Sequence, residues 1–335
     1  MISILDCTLR DGGYINGWEF LDDEIKGIID GGGKSNIDFV ECGYLNSTKD
    51  KRKGTIFTNI EEISDFLPQK RDSVKFLAMA DVQQFKVSDI TPYSGRSVDG
   101  IRVVFYKHQV DDAIELCKAV NKNGYKLFVQ PMVTVDYTKQ EYIELIEQIS
   151  NLRPYAVSIV DSFGYMNSQE INQYFNILDV LLDEEVIIGV HSHNNMQLAF
   201  TSAKGLLEYN TKRDIIIDSS LYGMGRGAGN LNTELITNYY NSSIEYKYNL
   251  ELILDMISKY IMPIKEKRDW GYSPYLYLTG LYHCHPNFAC YLLENHEITV
   301  SEFRKFIQAI PVEMKTKCRK PYVEELYQNF IKNRR

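Results

Sequence analysis

Residues 186–193, Val-Ile-Ile-Gly-Val-His-Ser-His, combine a short apolar run with two histidines. The β-branched residues at the start of this stretch are typical of a buried strand. Because side chains alternate across a strand, the spacing of His191 and His193 directs both imidazoles to the same face. Such a pair can ligate a metal, or both rings can be hydrogen-bonded structural histidines. The stretch therefore predicts a buried strand that ends in two potential metal ligands.

Apolar strand patterns of this kind alternate with helical patterns along most of the chain. The predicted strands cover residues 2–6, 37–42, 74–80, 100–105, 126–130, 156–160, 186–190 and 215–218. The helical patterns between them include three weaker ones, at residues 57–67, 82–90 and 231–241. Eight alternations in about 240 residues predict an α/β fold, the (β/α)8 TIM barrel. A doubly wound open sheet is the alternative, but the first turn, Asp11-Gly12-Gly13, does not continue into a glycine-rich phosphate loop.

The alternation stops after about residue 245, where only helical patterns follow, at residues 250–264 and 300–309. We therefore predict a barrel domain over residues 1–262 and a helical C-terminal extension over residues 263–335. This extension is expected to pack on the barrel and not to form an independent domain.

The composition excludes several classes of protein. A formal net charge of -8 argues against a nucleic-acid-binding protein, which needs a basic face. No apolar run approaches the roughly 20 residues of a membrane helix, and the N-terminus lacks a signal-peptide pattern. The six cysteines have no regular spacing, which favours reduced thiols. We therefore expect a cytoplasmic protein with no membrane or nucleic-acid partner.

In a (β/α)8 barrel, the carboxyl ends of the strands meet at one face, where active sites lie. Polar residues are concentrated at these predicted ends, including the pair His191 and His193 and the acidic residue Asp11. Two imidazoles and a carboxylate suit Mg²⁺, Mn²⁺, Co²⁺ or Zn²⁺. The sequence therefore predicts a divalent-metal site at the mouth of the barrel.

Four segments resemble the signatures of a known superfamily. They are Leu5-Asp-Cys-Thr-Leu-Arg-Asp-Gly12, Val160-Asp-Ser-Phe-Gly-Tyr165, His191-Ser-His-Asn-Asn195 and Gly223-Met-Gly-Arg-Gly-Ala-Gly-Asn230. Their order and residue types resemble the DRE-TIM metallolyases, the superfamily of hydroxymethylglutaryl-CoA lyase, isopropylmalate synthase and the 4-hydroxy-2-oxovalerate aldolases. The segment that begins at Val160 is similar to the aldolase branch in particular.

The resemblance implies a divalent metal, Mn²⁺ or Mg²⁺ in the first place and Co²⁺ or Zn²⁺ as alternatives. Its implied protein ligands are Asp11, His191 and His193, and Asn230 is a further ligand by similarity to the lyase branch. Arg10 would face the enolate that forms from a 2-oxo acid or thioester, where a fixed positive charge stabilises the oxyanion. A structural salt bridge is the alternative for Arg10.

The resemblance also points to residues around the metal. Glu41 is either an acid/base residue or the partner that orients Arg10, with a purely structural ion pair to Arg10 or Arg102 as the alternative. Gln130 and Thr134 are expected to line the pocket, whereas Asp161 is expected behind the ligands. Arg226 either meets an anionic group of the substrate or is solvated. By the same resemblance we expect a homo-oligomer.

The catalytic base is where the sequence departs from the aldolase branch. Those aldolases carry a histidine in the first loop as their proposed base, and this chain has Tyr14 in that neighbourhood. Tyr14, His108 and a metal-bound water are the candidates for proton transfer.

The predicted function is a metal-dependent carbon–carbon lyase, or aldolase, that acts on a pyruvate-type 2-oxo acid and an aldehyde. A Claisen-type synthase that uses acyl-CoA is one alternative, and a noncatalytic scaffold barrel is another. A Schiff-base aldolase needs a lysine inside the barrel near its mouth, and Lys107 is the sole candidate. In the extension, His283-Cys-His-Pro286 predicts a turn into a helix, and Tyr282 or His283 is the residue expected to reach the pocket.

Overall fold

The computed structural model describes residues 1–69 and 73–332. Eight parallel strands, numbered β1 to β8 in chain order, form its centre. They are Ile2–Asp6, Phe39–Leu45, Lys75–Asp81, Gly100–Phe105, Lys126–Pro131, Ala156–Asp161, Ile187–Ser192 and Ile215–Ser219. Strand β1 pairs in parallel with both β2 and β8, which closes the sheet. The predicted (β/α)8 barrel is confirmed.

The barrel interior has an apolar layer below a polar layer. The apolar layer includes Leu5, Phe39, Leu77, Phe128 and Ile216, all of them buried. Because inward-facing positions alternate, the residues two places further along the strands occupy the same face nearer the mouth. Polar side chains stand there in β2, β5 and β8, namely Glu41, Gln130 and Asp218. The apolar layer thus closes the bottom of the barrel, and the mouth is left for charged groups.

Strand β2 is irregular. Its pairing with β3 shifts register between Glu41 and Tyr44, as in a β-bulge. Gly43 lies there at φ +151°, where an added Cβ would stand 2.1 Å from the carbonyl oxygen of Thr55. A two-residue strand, Ile56–Phe57, continues the sheet beyond β2. Because the bulge inserts an extra residue, the side chains of Glu41 and Tyr44 can both point into the barrel although they are three residues apart.

Helices cover the outside of the barrel after most strands. They are Asp22–Lys34, Val110–Lys122, Lys139–Ser150, Ser168–Leu181, Ala199–Leu207 and Thr233–Ser243. The predicted helices at residues 57–67 and 82–90 are wrong, because only the 3₁₀ turns Glu61–Phe66 and Val87–Asp89 form there. After β3, Pro92 disfavours helical geometry at the preceding residue, and Gly95 takes φ +71°.

The C-terminal part is helical, as predicted. A rod begins as Leu250–Met256, passes through a π turn at Ile257–Ile261 and ends as Met262–Lys265. Because Pro263 has no backbone N–H to donate within the helix, it explains the local π geometry. Four helices follow, with an apolar cluster of their own: Pro274–Leu281, Asn287–Asn295, Val300–Ala309 and Lys320–Lys332.

The division of the chain after residue 262 stays a prediction, and residues 333–335 of the predicted extension lie outside the described residues. Among the residues that are described, no helix is both long and apolar enough to cross a lipid bilayer.

Candidate metal centre at the barrel mouth

The structure brings Asp11, His191 and His193 together at the mouth. Asp11 ends a short helical turn after β1, His191 lies in β7, and His193 directly follows β7. The Oδ2 atom of Asp11 stands 3.7 Å from Nε2 of His191 and 3.9 Å from Nε2 of His193. All three residues are buried. Ligands about 2.1 Å from one ion stand at most about 4.2 Å apart, so these two separations fit a shared cation.

Both imidazoles are held in the tautomer that a metal requires. Nδ1 of His191 lies 3.0 Å from Oδ2 of Asp218, and Nδ1 of His193 lies 3.1 Å from the backbone oxygen of Arg226. Because a carboxylate and a carbonyl only accept hydrogen bonds, both Nδ1 atoms donate, and both Nε2 atoms carry lone pairs. These lone pairs face Oδ2 of Asp11, which is buried with no hydrogen-bond partner. Three electron-rich atoms thus converge with no proton between them.

The protonation of this group also suits a cation. Burial alone would raise the pKa of Asp11, but the charge of Arg10 and the nearby imidazoles hold that pKa well below its usual value. Burial lowers the pKa of His193 to about 3, although Asp11 opposes that shift. Near neutral pH the site is therefore an ionised carboxylate facing a neutral imidazole, which is the form that binds a divalent metal.

A chain of buried ion pairs joins Asp11 to His191 through the barrel interior. Arg10 donates from Nη1 to Asp11 at 2.9 Å and from Nε to Glu41 at 2.8 Å. Glu41 Oε2 also lies 3.0 Å from Nη1 of Arg102, which pairs in turn with Asp218. Asp218 then accepts from His191. Each charge in this chain is matched by a neighbour, so the chain fixes the positions of two predicted metal ligands.

Asn230 completes the wall beside Asp11. Its Oδ1 is buried with no hydrogen-bond partner, while Nδ2 lies 3.4 Å from both Ser220 Oγ and the Met224 backbone oxygen. Gly225 makes this approach possible, because a Cβ there would stand 2.3 Å from Asn230 Nδ2 and 3.0 Å from Asp11 Oδ2. Asn230 Oδ1 and Asp11 Oδ2, both buried without a hydrogen-bond partner, are oxygen atoms of the kind that a divalent cation accepts beside imidazole ligands.

A small cavity of about 30 Å³, partly open to solvent, adjoins the three predicted ligands. Its lining consists of Arg10, Asp11, Tyr14, Tyr44, Met79, Val104, Gln130, Met132, Val160, Ser162, His191, His193 and Arg226. The amide of Gln130 in this wall is fixed by a 2.6 Å hydrogen bond to Ser158 Oγ.

Four of the predicted site residues lie outside this lining: Glu41, His108, Thr134 and Asn230. Thr134 is fully buried, and its hydroxyl accepts the backbone N–H of Val160 at 2.9 Å, which gives it a structural partner. His108 is exposed and stacks on Tyr106 with 5.9 Å between the ring centroids. Lys107, the candidate for a Schiff base, is also exposed and pairs with Glu141 at 2.6 Å.

Asp161 lies behind the cavity, as expected. Its carboxylate accepts the backbone N–H groups of Tyr165 and Met166, and burial raises its pKa to about 7. The backbone oxygen of Asp161 accepts from the N–H of His193 at 3.3 Å. Asp161 therefore shapes the loop after β6, and through it the start of the loop after β7.

Three residues of the site were not predicted. Asp218 orients His191, and its inward position in β8 is the signal that was available. Tyr44 lines the cavity only because of the bulge in β2. His285 of the extension reaches Arg226, with 2.6 Å between Nε2 and Nη2, whereas His283 stacks on Tyr165. Neither Tyr282 nor His283 lines the cavity as expected, and His285 instead contacts Arg226 of the cavity wall.

Comparison with known proteins agrees with this geometry. The model of the HMGL-like family matches residues 1–259. This chain belongs to the HMGL-like family. It is 24% identical over 277 residues to a 4-hydroxy-2-oxovalerate aldolase of Pseudoalteromonas translucida, which covers 79% of this chain and 77% of that protein. It is 22% identical over 236 residues to an oxaloacetate decarboxylase of Mycobacterium tuberculosis, covering 70% of this chain and 68% of that one.

Solved structures of similar fold include the N-terminal domain of a putative aldolase from Bacteroides vulgatus. It aligns with a TM-score of 0.78 at 24% identity, over 92% of this chain and all of that one. An HMG-CoA lyase from Brucella melitensis aligns with a TM-score of 0.64 at 14% identity, over 79% of this chain and 98% of that one. Membership of the lyase superfamily and the prediction of a carbon–carbon lyase are confirmed by the family match and the curated relatives.

Replacing Asp218 by Asn is expected to weaken Mn²⁺ binding by roughly 10- to 100-fold, because His191 loses the carboxylate that fixes its tautomer. Mn²⁺ titration followed by electron paramagnetic resonance measures this change. Asp214→Asn is the matched control, since Asp214 is exposed just before the same strand and pairs with the N-terminal amine. Equal Mn²⁺ affinity in Asp218→Asn and wild type would contradict the assigned role.

Replacing Gly225 by Ala is expected to lower metal affinity at least as strongly, because the new Cβ displaces Asn230 or Asp11 from the site. The same Mn²⁺ titration applies. Gly205→Ala is the control, since its Cβ would meet nothing nearer than 3.6 Å. An alanine at 205, within the helix Ala199–Leu207, is expected to retain metal binding and to stabilise the fold slightly. Unchanged binding in Gly225→Ala would show that Asn230 and Asp11 are not placed as described.

Proposed function

We propose that this protein is a divalent-metal-dependent lyase that makes or breaks a carbon–carbon bond next to the keto group of a 2-oxo acid. The observation that carries the proposal is the buried Asp11 oxygen, which has no partner and faces the lone pairs of His191 and His193. The curated relatives support it, since their names describe an aldolase of a 2-oxo acid and a decarboxylase of oxaloacetate. Pyruvate is the simplest substrate of this class.

Asp11, His191 and His193 would hold the metal, with Asn230 Oδ1 within the same wall. When bound, the metal supplies Lewis acidity to the carboxylate and keto oxygens of a 2-oxo acid. Two imidazoles with oxygen ligands suit Mn²⁺ or Mg²⁺, and also Co²⁺ or Zn²⁺.

Arg10 is placed to stabilise the negative charge that develops on the keto oxygen. It lines the cavity, and its recorded hydrogen bonds use Nε and Nη1. Nη2 therefore remains for a ligand. Because Glu41 and Asp11 hold the guanidinium on two sides, it needs no rearrangement when charge appears, which is the condition for electrostatic catalysis. In this proposal Glu41 positions Arg10.

The charges of the buried ion-pair chain fit one divalent metal and one carboxylate of the substrate. Three carboxylates, Asp11, Glu41 and Asp218, stand against the two guanidinium groups of Arg10 and Arg102, which leaves one excess negative charge. A divalent cation and a 2-oxo acid monoanion together add one positive charge. The five groups of the chain, the metal and one substrate carboxylate are therefore neutral together, which avoids the cost of an unpaired buried charge.

We assign proton transfer to Tyr14. Its hydroxyl lies 3.2 Å from that of Tyr44, and both side chains line the cavity. Burial raises the pKa of Tyr44 well above its usual value, so Tyr44 remains a neutral hydroxyl that can bond to Tyr14. Tyr14 is 40% exposed, which allows it to exchange protons with solvent. His108 stands outside the cavity and is the weaker candidate.

The predicted aldehyde co-substrate, the homo-oligomer and the cytoplasmic location all belong to this proposal. An aldehyde is the electrophile that the relatives' aldolase names imply.

The proposal predicts that metal-loaded protein exchanges the methyl protons of pyruvate in deuterated water, as nuclear magnetic resonance detects, and that a chelator abolishes the exchange. Asp11→Asn is expected to reduce the exchange rate by at least about 100-fold, because the metal is lost and Arg10 loses its partner. Asp23→Asn, a change at an exposed position of the first outer helix, is expected to leave the rate unchanged. Exchange that persists in the chelated protein or in Asp11→Asn would overturn the proposal.

A further inference from the structure

Arg226 is a cation at the cavity without a counterion. Its side chain lines the cavity, and its Nε is buried with no hydrogen-bond partner. Its neighbours are uncharged: the ring of Tyr14 at 5.2 Å from the guanidinium carbon, the hydroxyl of Tyr106, and the imidazole of His285. Within residues 1–69 and 73–332, no recorded ion pair includes Arg226.

Among the described residues, the three fully buried arginines are each neutralised by carboxylates. Arg10 pairs with Asp11 and Glu41, Arg102 with Glu41 and Asp218, and Arg213 with Asp179 at 2.8 Å. Arg226 is half-buried, and the charge of Asp11 acts on it across the cavity, but no carboxylate of the described residues lies within ion-pair distance of it. A partly desolvated guanidinium of this kind is stabilised when a ligand provides an anion. Arg226 is thus the exception, and it stands where a substrate enters.

His285 has a hydrogen-bonding conflict that an anion would resolve. Its Nδ1 faces the backbone N–H of Asn287 at 3.0 Å, and its Nε2 faces Nη2 of Arg226 at 2.6 Å. Both neighbours are donors, but a neutral imidazole has only one acceptor nitrogen. If Nδ1 accepts from Asn287, then Nε2 carries a hydrogen that points at another donor. An anionic oxygen that enters and moves the two side chains apart would accept a hydrogen bond from each.

The loop that carries Arg226 links this pair to the predicted metal. The backbone oxygen of Arg226 holds the ring of His193, while its side chain extends to the extension. Gly227 takes φ +65°, and a Cβ there would stand 2.9 Å from Asn195 Oδ1 and 3.4 Å from Pro286. Because Gly227 has no side chain, the loop can pack closely against Pro286, the residue next to His285. One loop therefore orients a metal ligand and presents a cation to the same cavity.

We propose that Arg226 and His285 bind a second carboxylate of the substrate, so that the enzyme acts on 2-oxo dicarboxylic acids or joins pyruvate to an aldehyde that carries a carboxylate. This inference rests on the proposed function and names its substrate class. The charge balance supports it: the ion-pair chain is neutral with the metal and one substrate carboxylate, and Arg226 adds one positive charge. A single guanidinium matches a carboxylate better than a phosphate dianion, which needs more positive charge.

Calorimetric binding of two acids of equal chain length tests this proposal without requiring turnover. Metal-loaded wild type is expected to bind 2-oxoglutarate roughly 10- to 100-fold more tightly than 2-oxopentanoate, which lacks the second carboxylate. Arg226→Gln is expected to lose this preference, and Arg226→Lys to keep part of it because the charge remains without the planar fork. Arg304→Gln, at an exposed position of the extension, is the matched control and is expected to keep the full preference.

Equal affinity of wild type for the two acids would overturn the inference, even if Arg226→Gln failed to fold. So would a preference that survives in Arg226→Gln. Binding of inorganic phosphate and of acetate distinguishes the two kinds of anion. If phosphate bound more tightly than acetate and this binding required Arg226, the proposed ligand group would be a phosphate and not a carboxylate. If the exchange of pyruvate protons is sensitive to a chelator but the affinities for 2-oxoglutarate and 2-oxopentanoate are equal, the proposed function stands and only this inference is rejected.

Discussion

The buried chain of ion pairs from Asp11 through Arg10, Glu41, Arg102 and Asp218 to His191 is the constraint on which the rest of the site depends. Charged groups of this kind are tolerated inside a barrel only when each has a partner of opposite charge. The chain connects β1, β2, β4, β7 and β8, so closure of the barrel and assembly of the site are one event. The excess negative charge that it leaves is placed beside the unpaired oxygen of Asp11, where a cation relieves it.

The C-terminal helices complete the mouth that the barrel begins. The barrel supplies the predicted ligands and Arg10, whereas His285 comes from the extension and meets Arg226 of the loop after β8. Asn195, next to the histidine pair, also donates to Thr279 Oγ1 of the extension at 3.2 Å. These contacts place the extension beside Arg226, where the proposed second carboxylate of the substrate would lie.

The features that follow from local patterns could be read from the sequence. The i, i+2 spacing of His191 and His193 depends only on strand geometry, and the barrel follows from repeated alternation of strand and helix. Tyr44 could not be read, because the bulge at Gly43 changes the side-chain alternation of β2. His285 could not be read either, because its position depends on how the extension folds over the mouth. At residues 57–67 and 82–90 the apolar periodicity is weak, and only the 3₁₀ turns Glu61–Phe66 and Val87–Asp89 form in place of the expected helices.

The central claim is that Asp11, His191 and His193 form one metal site. Anomalous diffraction from crystals of the protein grown with Mn²⁺ tests it most directly. The account predicts a single strong anomalous peak at the barrel mouth, about 2.0–2.3 Å from Asp11 Oδ2 and from Nε2 of both histidines. A Mn²⁺ peak bound elsewhere, or a mouth that holds no Mn²⁺ at saturating concentration, would contradict it.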